Sequence, residues 1–184
     1  MRIVSGEHKG RRITAPKKLP VRPTTDMAKE SLFNILNNSY YFEEISVLDL
    51  FSGTGNISYE FASRGTEQIV SVDKDYGCSK FINETAEMLD MPIQVIKADV
   101  FKYLESTNQK HTVIFADPPY NFDLQMFSKI PELVFKNKLL EDDGLLIVEH
   151  SKQTDLSEII NYSYSKSYGG NMFSFFKEEK KADL

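Results

Sequence analysis

The sequence has one cysteine, no tryptophan and no long apolar run. A single cysteine, Cys78, excludes a disulfide framework and a zinc site built from several cysteines. No apolar run approaches the roughly 20 residues needed to span a bilayer, and the N-terminus lacks the apolar stretch of a secretory signal. His8, His111 and His150 share no metal-ligand spacing. We therefore expect a soluble cytoplasmic protein without a membrane segment or a metal site.

The composition is that of an ordinary globular domain. The chain has 184 residues, of which 41% are hydrophobic and 27% charged, a balance that rules out wholesale disorder. Thirteen phenylalanines and nine tyrosines supply aromatic side chains for a core. This length suits one compact domain with at most a small appendage, and we expect a monomer.

Charge is distributed unevenly along the chain. The formal net charge is −5, yet residues 1–23 contain seven basic side chains against a single acidic one, Glu7. A basic arm on an acidic body suggests a segment that binds a polyanion. The alternative is a solvated, mobile terminus. The basic residues are Arg2, Lys9, Arg11, Arg12, Lys17, Lys18 and Arg22.

Three parts of the chain differ in composition. Residues 1–23 form the basic arm, which we interpret as an appendage. Residues 24–176 alternate between apolar strands and amphipathic helices, as expected of one folded domain. Residues 177–184 form a charged tail.

The N-terminal arm is predicted to contain a short hairpin. Residues 2–5 and 11–14 alternate around Gly6 and Gly10, which favours two short strands joined by a turn. Prolines then keep the chain extended up to Thr24, where a helix is predicted to begin.

From residue 45 onwards the pattern is typical of an α/β fold. Repeated strand–helix units imply a mostly parallel sheet with helices on both faces, and the end of the chain predicts an antiparallel hairpin that completes seven strands. The predicted strands are 45–51, 68–72, 93–97, 112–116, 145–149, 162–167 and 172–176. The predicted helices are 57–63, 76–89, 101–104 and 124–135, the last broken near Pro131.

A glycine turn follows the first predicted strand, in the sequence DLFSGTGN. Gly53 and Gly55 allow a tight turn and a close approach of the backbone to a ligand. Asp73 comes 20 residues after Gly53, at the end of the second strand, where nucleotide-binding sheets place a carboxylate for ribose hydroxyls. The combination indicates a nucleotide-binding site.

Asp49 bears on which nucleotide binds. Ser58 has the small side chain that a dinucleotide motif needs, so the spacing does not exclude NAD. A carboxylate at Asp49 would repel a pyrophosphate, however, and suits a cofactor with a cationic amino-acid end, such as S-adenosylmethionine. The alternative is that Asp49 only caps amides of the loop.

Asp99 follows the third strand. Its carboxylate suits an adenine amino group, with an apolar neighbour covering the ring; the alternative is an N-cap for the next helix, and both roles are compatible.

The fourth predicted strand ends in Asp117-Pro118-Pro119-Tyr120. Two prolines fix an extended backbone and remove two N–H donors, which leaves the Asp117 carboxylate and the Pro118 carbonyl as acceptors. Acceptors beside an aromatic ring suit a planar substrate with an exocyclic amine, on which Tyr120 would stack. A simple strand-ending turn is the alternative.

These motifs carry a family resemblance. DLFSGTG, VSVDKD, KADVF and DPPY, in this order, resemble class I S-adenosylmethionine-dependent methyltransferases of exocyclic amines. The opening MRIVSG with KGR, and RPTTD followed by KESLFN, narrows the resemblance to the bacterial small-subunit ribosomal RNA guanine-N2 methyltransferase family, the RsmD type. The resemblance extends from Met1 to about Phe176 and implies a Rossmann-like fold and N2 methylation of the guanine-966 type in 16S rRNA, on an assembled or partly assembled small subunit.

The resemblance also implies roles for individual residues. Basic residues of the arm would bind RNA phosphate. This chain has Met27 where the family often has a basic residue, Lys29 where it often has arginine, and Tyr120 where phenylalanine is more frequent. The implied sets are Asp49, Phe51, Gly53, Gly55, Asp73, Asp99 and Val100 for the cofactor, Asp117, Pro118 and Tyr120 for catalysis, and Arg2, Lys9, Arg11, Arg12 and Arg22 for RNA.

The methyl transfer that the resemblance implies relies on orientation of the target amine more than on a strong base. We expect Asp117 to have a pKa near the usual value of about 4, at which a carboxylate accepts a proton only weakly. Three rival functions are a DNA adenine-N6 methyltransferase, another amine methyltransferase, and a nucleotide-binding module of the NAD type.

Overall fold

The computed structural model describes residues 1–21 and 24–179. Within these residues, seven strands form one sheet and five α-helices cover it. The strands are β1 (Ser46–Leu50), β2 (Gln68–Asp73), β3 (Ile93–Lys97), β4 (His111–Ala116), β5 (Leu140–Ser151), β6 (Tyr162–Tyr168) and β7 (Asn171–Phe176). The helices are α1 (Asp26–Asn37), α2 (Asn56–Ser63), α3 (Tyr76–Met88), α4 (Val100–Ser106) and α5 (Leu124–Lys136).

The sheet has the strand order β3-β2-β1-β4-β5-β7-β6. The first five strands along the chain pair in parallel, whereas β7 pairs antiparallel with both β5 and β6. This arrangement confirms the predicted α/β fold with its C-terminal antiparallel hairpin. Because the direction of strand addition reverses between β1 and β4, a crevice opens at the carboxyl ends of these two strands.

Each face of the sheet has its own apolar layer. Side chains alternate along β1, so that Val47 contributes to the layer under α1, α2 and α3 while Leu48 contributes to the layer under α4 and α5. No helix in the described part of the chain is both long and apolar enough to cross a membrane.

Two predicted elements differ from the observed ones. The fifth strand, predicted over 145–149, is longer in the structure: Asp143 lies inside β5 with a φ of 61°, where the pairing with β4 shifts register. β5 therefore starts at Leu140. The predicted break near Pro131 is wrong, because α5 continues through the proline. Proline in a helix costs about 3 kcal/mol, and here Phe127, Ile130 and Val134 on the same helix are buried and offset that cost.

The basic arm folds against the body of the protein. Arg2 and Arg12 form an antiparallel bridge, and Ile3 and Ile13 are buried in the layer beneath α1 and α2. The predicted N-terminal hairpin is confirmed, although an isolated bridge takes the place of two full strands. The first hairpin residues are thus anchored to the domain, and the alternative of a mobile terminus does not describe them.

A buried ion pair fixes the arm. Lys29 Nζ on α1 lies 3.0 Å from Glu60 Oε2 on α2, and both side chains are fully buried. Glu60 also accepts hydrogen bonds from the backbone amides of Val4 and Ser5. Lys29 donates to the Arg2 carbonyl at 2.6 Å. The pair therefore joins the arm, α1 and α2.

Glu60→Ala is expected to lower the free energy of unfolding by about 3–5 kcal/mol, because it leaves the Lys29 charge buried without its partner. Urea denaturation measures the effect. Glu84→Ala is the matched control: Glu84 pairs with Lys80 on the exposed surface of α3 and should cost less than about 1 kcal/mol. Equal losses in the two variants would contradict the role assigned to the buried pair.

His111 generates a pH dependence of stability. Its ring is buried, neither ring nitrogen has a hydrogen-bond partner among the described residues, and burial lowers the pKa of His111 to about 4. The unfolded chain, with a histidine pKa of about 6.5, binds more protons between these two values, so the unfolding free energy falls as the pH decreases through this window.

His111→Phe should remove this contribution. We expect the wild type to lose about 1–2 kcal/mol more than the variant when the pH falls from about 7 to about 5, as measured by urea denaturation at both values. Parallel pH dependences for the two proteins would show that His111 is not the group responsible.

Candidate active site

The carboxyl ends of β1, β2, β3 and β4 surround a cavity of about 720 Å³. All the predicted cofactor and catalytic residues line it except Gly55. Gly55 instead precedes α2 with a φ of 84°, and a Cβ there would lie 2.8 Å from the ring of Tyr59. The residues that line the cavity as predicted are Asp49, Phe51, Gly53, Asp73, Asp99, Val100, Asp117, Pro118 and Tyr120.

The glycine turn is held by its own neighbours. Gly53 has a φ of 54° and donates its backbone amide to Asp73 Oδ2 at 2.9 Å. A Cβ at this position would lie 3.2 Å from the side chain of Val21. The positive φ and the close approach of Val21 both favour glycine at residue 53.

Asp49 is buried beneath this turn. The Ser58 hydroxyl donates to Asp49 Oδ2 at 2.6 Å, and the Ser58 backbone amide also binds the carboxylate. Burial raises the pKa of Asp49 to about 7, against the lowering effect of these hydrogen bonds. The alternative interpretation, a cap for backbone amides, thus describes one of its contacts. Asp49 also faces the cavity, where a cation would favour its charged form.

Asp73 and Asp99 combine a structural contact with a position at the cavity. Asp73 accepts amide hydrogen bonds from Gly53 and Asp75, and burial raises its pKa. Asp99 caps α4 by accepting from the Lys102 amide at 3.1 Å. The N-cap role considered for Asp99 is therefore real and coexists with its place in the cavity wall.

Aromatic side chains that the sequence analysis did not single out form one wall of the cavity. The Phe51 ring lies 6.3 Å from that of Phe101 and 5.6 Å from that of Phe122, between ring centroids. Both additional rings line the cavity. The Ser52 hydroxyl, also in the lining, is buried and has no hydrogen-bond partner among the described residues. An apolar wall with an unused hydroxyl fits a ligand that has both a flat ring and polar groups.

The pKa of Asp117 differs from the value expected from the sequence. Its backbone amide donates to the Leu50 carbonyl, which places it at the reversal point between β1 and β4. Burial raises its pKa well above the usual value, and the carboxylates of Glu149 and then Asp49 raise it further. The expectation of a pKa near 4 is wrong because the sequence did not reveal these neighbours. Asp117 is consequently a better proton acceptor than an ordinary carboxylate.

Glu149 and its partners were missed by the sequence analysis. Glu149 is buried at the end of β5, where the Thr24 hydroxyl donates to Oε2 at 2.8 Å and the Asn171 amide donates to Oε1 at 2.6 Å. The available signal was a charged residue directly after the apolar run Leu-Leu-Ile-Val. Its two partners lie 125 and 22 residues away along the chain, and no local pattern indicates them.

The predicted RNA-binding residues lie on the arm. Arg2, Lys9, Arg11 and Arg12 are exposed, and Arg2 also pairs with Asp26 at 3.1 Å. Arg22 lies outside the described residues. Across residues 1–21 and 24–179, no group of three or more His, Cys, Asp or Glu side chains is arranged to hold a metal ion.

The fold and the cavity define a Rossmann-like chain of the methyltransferase class. The structure of yhhF from Escherichia coli matches with a TM-score of 0.85 at 24% identity, covering 98% of this chain and 99% of that one. The 16S rRNA N2 G1207 methyltransferase RsmC of Thermus thermophilus, in complex with AdoMet and guanosine, matches with a TM-score of 0.67 at 18% identity, over 88% of this chain and 45% of that one.

The chain belongs to the family described as Conserved hypothetical protein 95, whose model matches residues 1–177. The protein YlbH of Bacillus subtilis is 32% identical over 186 residues, which cover 97% of this chain and 99% of YlbH. Ribosomal RNA small subunit methyltransferase D of Escherichia coli K12 is 28% identical over 160 residues, which cover 86% of this chain and 79% of that relative. The resemblance to the RsmD-type family is thereby confirmed.

Proposed function

We propose that this protein transfers a methyl group from S-adenosylmethionine to the exocyclic N2 of one guanine in 16S rRNA, of the guanine-966 type, on an assembled or partly assembled small subunit. The observation that carries the proposal is the common cavity. Asp49, Asp73 and Asp99 line it together with Asp117 and Pro118.

The cavity residues fit S-adenosylmethionine. Asp49 suits the cationic amino-acid end, Asp73 the ribose hydroxyls and Asp99 the adenine amine, while the unpartnered Ser52 hydroxyl is available to a polar group of the ligand. When bound, S-adenosylmethionine supplies an electrophilic methyl group. A pyrophosphate would meet the Asp49 carboxylate, which disfavours NAD.

The DPPY loop would orient the target amine. The Asp117 carboxylate and the Pro118 carbonyl accept its two N–H groups, and the exposed ring of Tyr120 stacks on the base. The amine loses one proton for each methyl group that it gains. Asp117, whose pKa is raised, is suited to take this proton.

The arm would bind the phosphate backbone of the RNA. Its exposed arginines and lysine contact phosphates without reading sequence, so the shape of the ribonucleoprotein selects the site. The names of the relatives support this substrate: the Escherichia coli relative is named for the ribosomal small subunit, and the Thermus thermophilus structure contains guanosine. We also propose that the protein acts as a monomer.

The direct test uses labelled S-adenosylmethionine and small subunits from cells that lack this protein. We expect N2-methylguanosine at a single site of 16S rRNA after digestion. Asp117→Ala should lower the transfer rate by about 10²–10⁴-fold through loss of orientation and of the proton acceptor. Asp142→Ala, which removes an exposed aspartate near the start of β5, is the matched control. Label in DNA, in protein or nowhere would refute the proposed substrate.

Gly53→Ala tests the cofactor site separately from transfer. The variant should bind S-adenosylmethionine more than tenfold more weakly, because the added Cβ crowds the turn against Val21. Gly10→Ala is the control: Gly10 also has a positive φ, of 84°, but no atom lies within 4 Å of an added Cβ. Titration calorimetry measures both affinities, and unchanged binding by Gly53→Ala would argue against this turn as the cofactor site.

A further inference from the structure

A half-buried carboxylate, Asp117, and a buried one, Glu149, follow neighbouring positions of two paired strands at the carboxyl edge of the sheet. β4 and β5 are parallel, and their register pairs Ala116 with Val148. The next residues are Asp117 and Glu149, and the alternation of side chains puts both on the face that Phe115 and Ile147 occupy. This register places the Glu149 carboxylate beside Asp117. Burial raises the pKa of Asp117, and the charge of Glu149 raises it further.

Glu149 is held in place but does not line the cavity. Thr24 and Asn171 donate one hydrogen bond to each of its oxygens, at 2.8 and 2.6 Å. Two donors on a buried carboxylate favour its ionised form and fix its orientation. Because Glu149 is only 3% exposed and absent from the cavity wall, it acts on a bound base through neighbouring side chains that do line the cavity, Asp117 and its own donor Thr24.

We infer that Glu149 is a positioning residue that makes Asp117 the proton acceptor of the reaction. This inference rests on the proposed function. As the amine nitrogen gains the methyl group through its lone pair, one of its N–H bonds breaks, the electron pair of that bond stays on nitrogen, and an O–H bond forms on the Asp117 carboxylate. The fixed negative charge of Glu149 beside it strengthens the affinity of Asp117 for that proton.

The other ionisable groups near Asp117 act less strongly or point elsewhere. Asp49 reaches it from β1, and its carboxylate raises the Asp117 pKa less than that of Glu149 does. Lys29 on α1 is engaged with Glu60, Asn56 and the Arg2 carbonyl. His150, the neighbour of Glu149 in β5, faces the opposite layer, where it contacts Ser174.

The pH profile of methyl transfer tests the role of Glu149. Single-turnover rates on small subunits are measured between about pH 5 and pH 9. In the wild type the rate rises with pH as Asp117 loses its resting proton. Glu149→Gln removes a neighbouring negative charge, so the midpoint of this rise should move to lower pH by about one unit. Glu141→Gln, an exposed carboxylate on the same strand, should leave the midpoint in place.

A second readout does not depend on transfer. The Asp117 carboxyl carbon is followed by NMR in protein carrying labelled aspartate, and Asp117→Asn identifies its resonance. Its titration midpoint should fall in Glu149→Gln. Equal Asp117 midpoints in the wild type and in Glu149→Gln would overturn the inference even if 16S rRNA is methylated. A lowered midpoint without methylation of 16S rRNA would leave the carboxylate pair standing and refute the proposed function.

A double variant separates charge from packing. In Glu149→Gln/Asn171→Asp the hydrogen bond is reversed and the negative charge is moved one side chain away. We expect the Asp117 midpoint to return part of the way towards that of the wild type. If the double variant keeps the midpoint of Glu149→Gln, the charge of Glu149 is not what acts on Asp117, and the inference fails.

Discussion

The buried pair of Lys29 and Glu60 is the interaction on which the rest of the structure depends. Burying two charges is costly unless each finds further hydrogen bonds. Here Glu60 pairs with Arg64 and accepts hydrogen bonds from two backbone amides of the arm. Lys29 donates to the Arg2 carbonyl and, at 2.9 Å, to Asn56 Oδ1. The first residues of the chain thereby become part of the domain, and the exposed basic side chains are presented from a fixed backbone.

The same polar network reaches the candidate active site. Asn56, which binds Lys29, also donates to the Thr24 carbonyl at 3.0 Å, and the Thr24 hydroxyl binds Glu149. Thr24 and Asn56 both line the cavity. The contacts that dock the arm and those that orient the acidic residues are therefore continuous, and the fully buried Lys29 is part of both.

The sequence was sufficient for the order of elements and for most of the cavity wall. Strand–helix alternation and the turn residues are local signals, and residues at the ends of parallel strands necessarily meet at one edge. Glu149, Lys29 and Glu60 could not be assigned, because their roles depend on partners far away in the chain. For the same reason the pKa of Asp117 was misjudged: its value reflects burial and neighbours that only the folded sheet brings together.

The antiparallel insertion of β7 beside β5 has a consequence for the synthesis of this protein. Glu149 receives one hydrogen bond from Thr24, near the start of the chain, and one from Asn171, near its end. A nascent chain that has reached only β5 holds a carboxylate without its second donor. The acidic centre is thus completed last, after translation has passed the final hairpin, so a truncated product lacks a finished site.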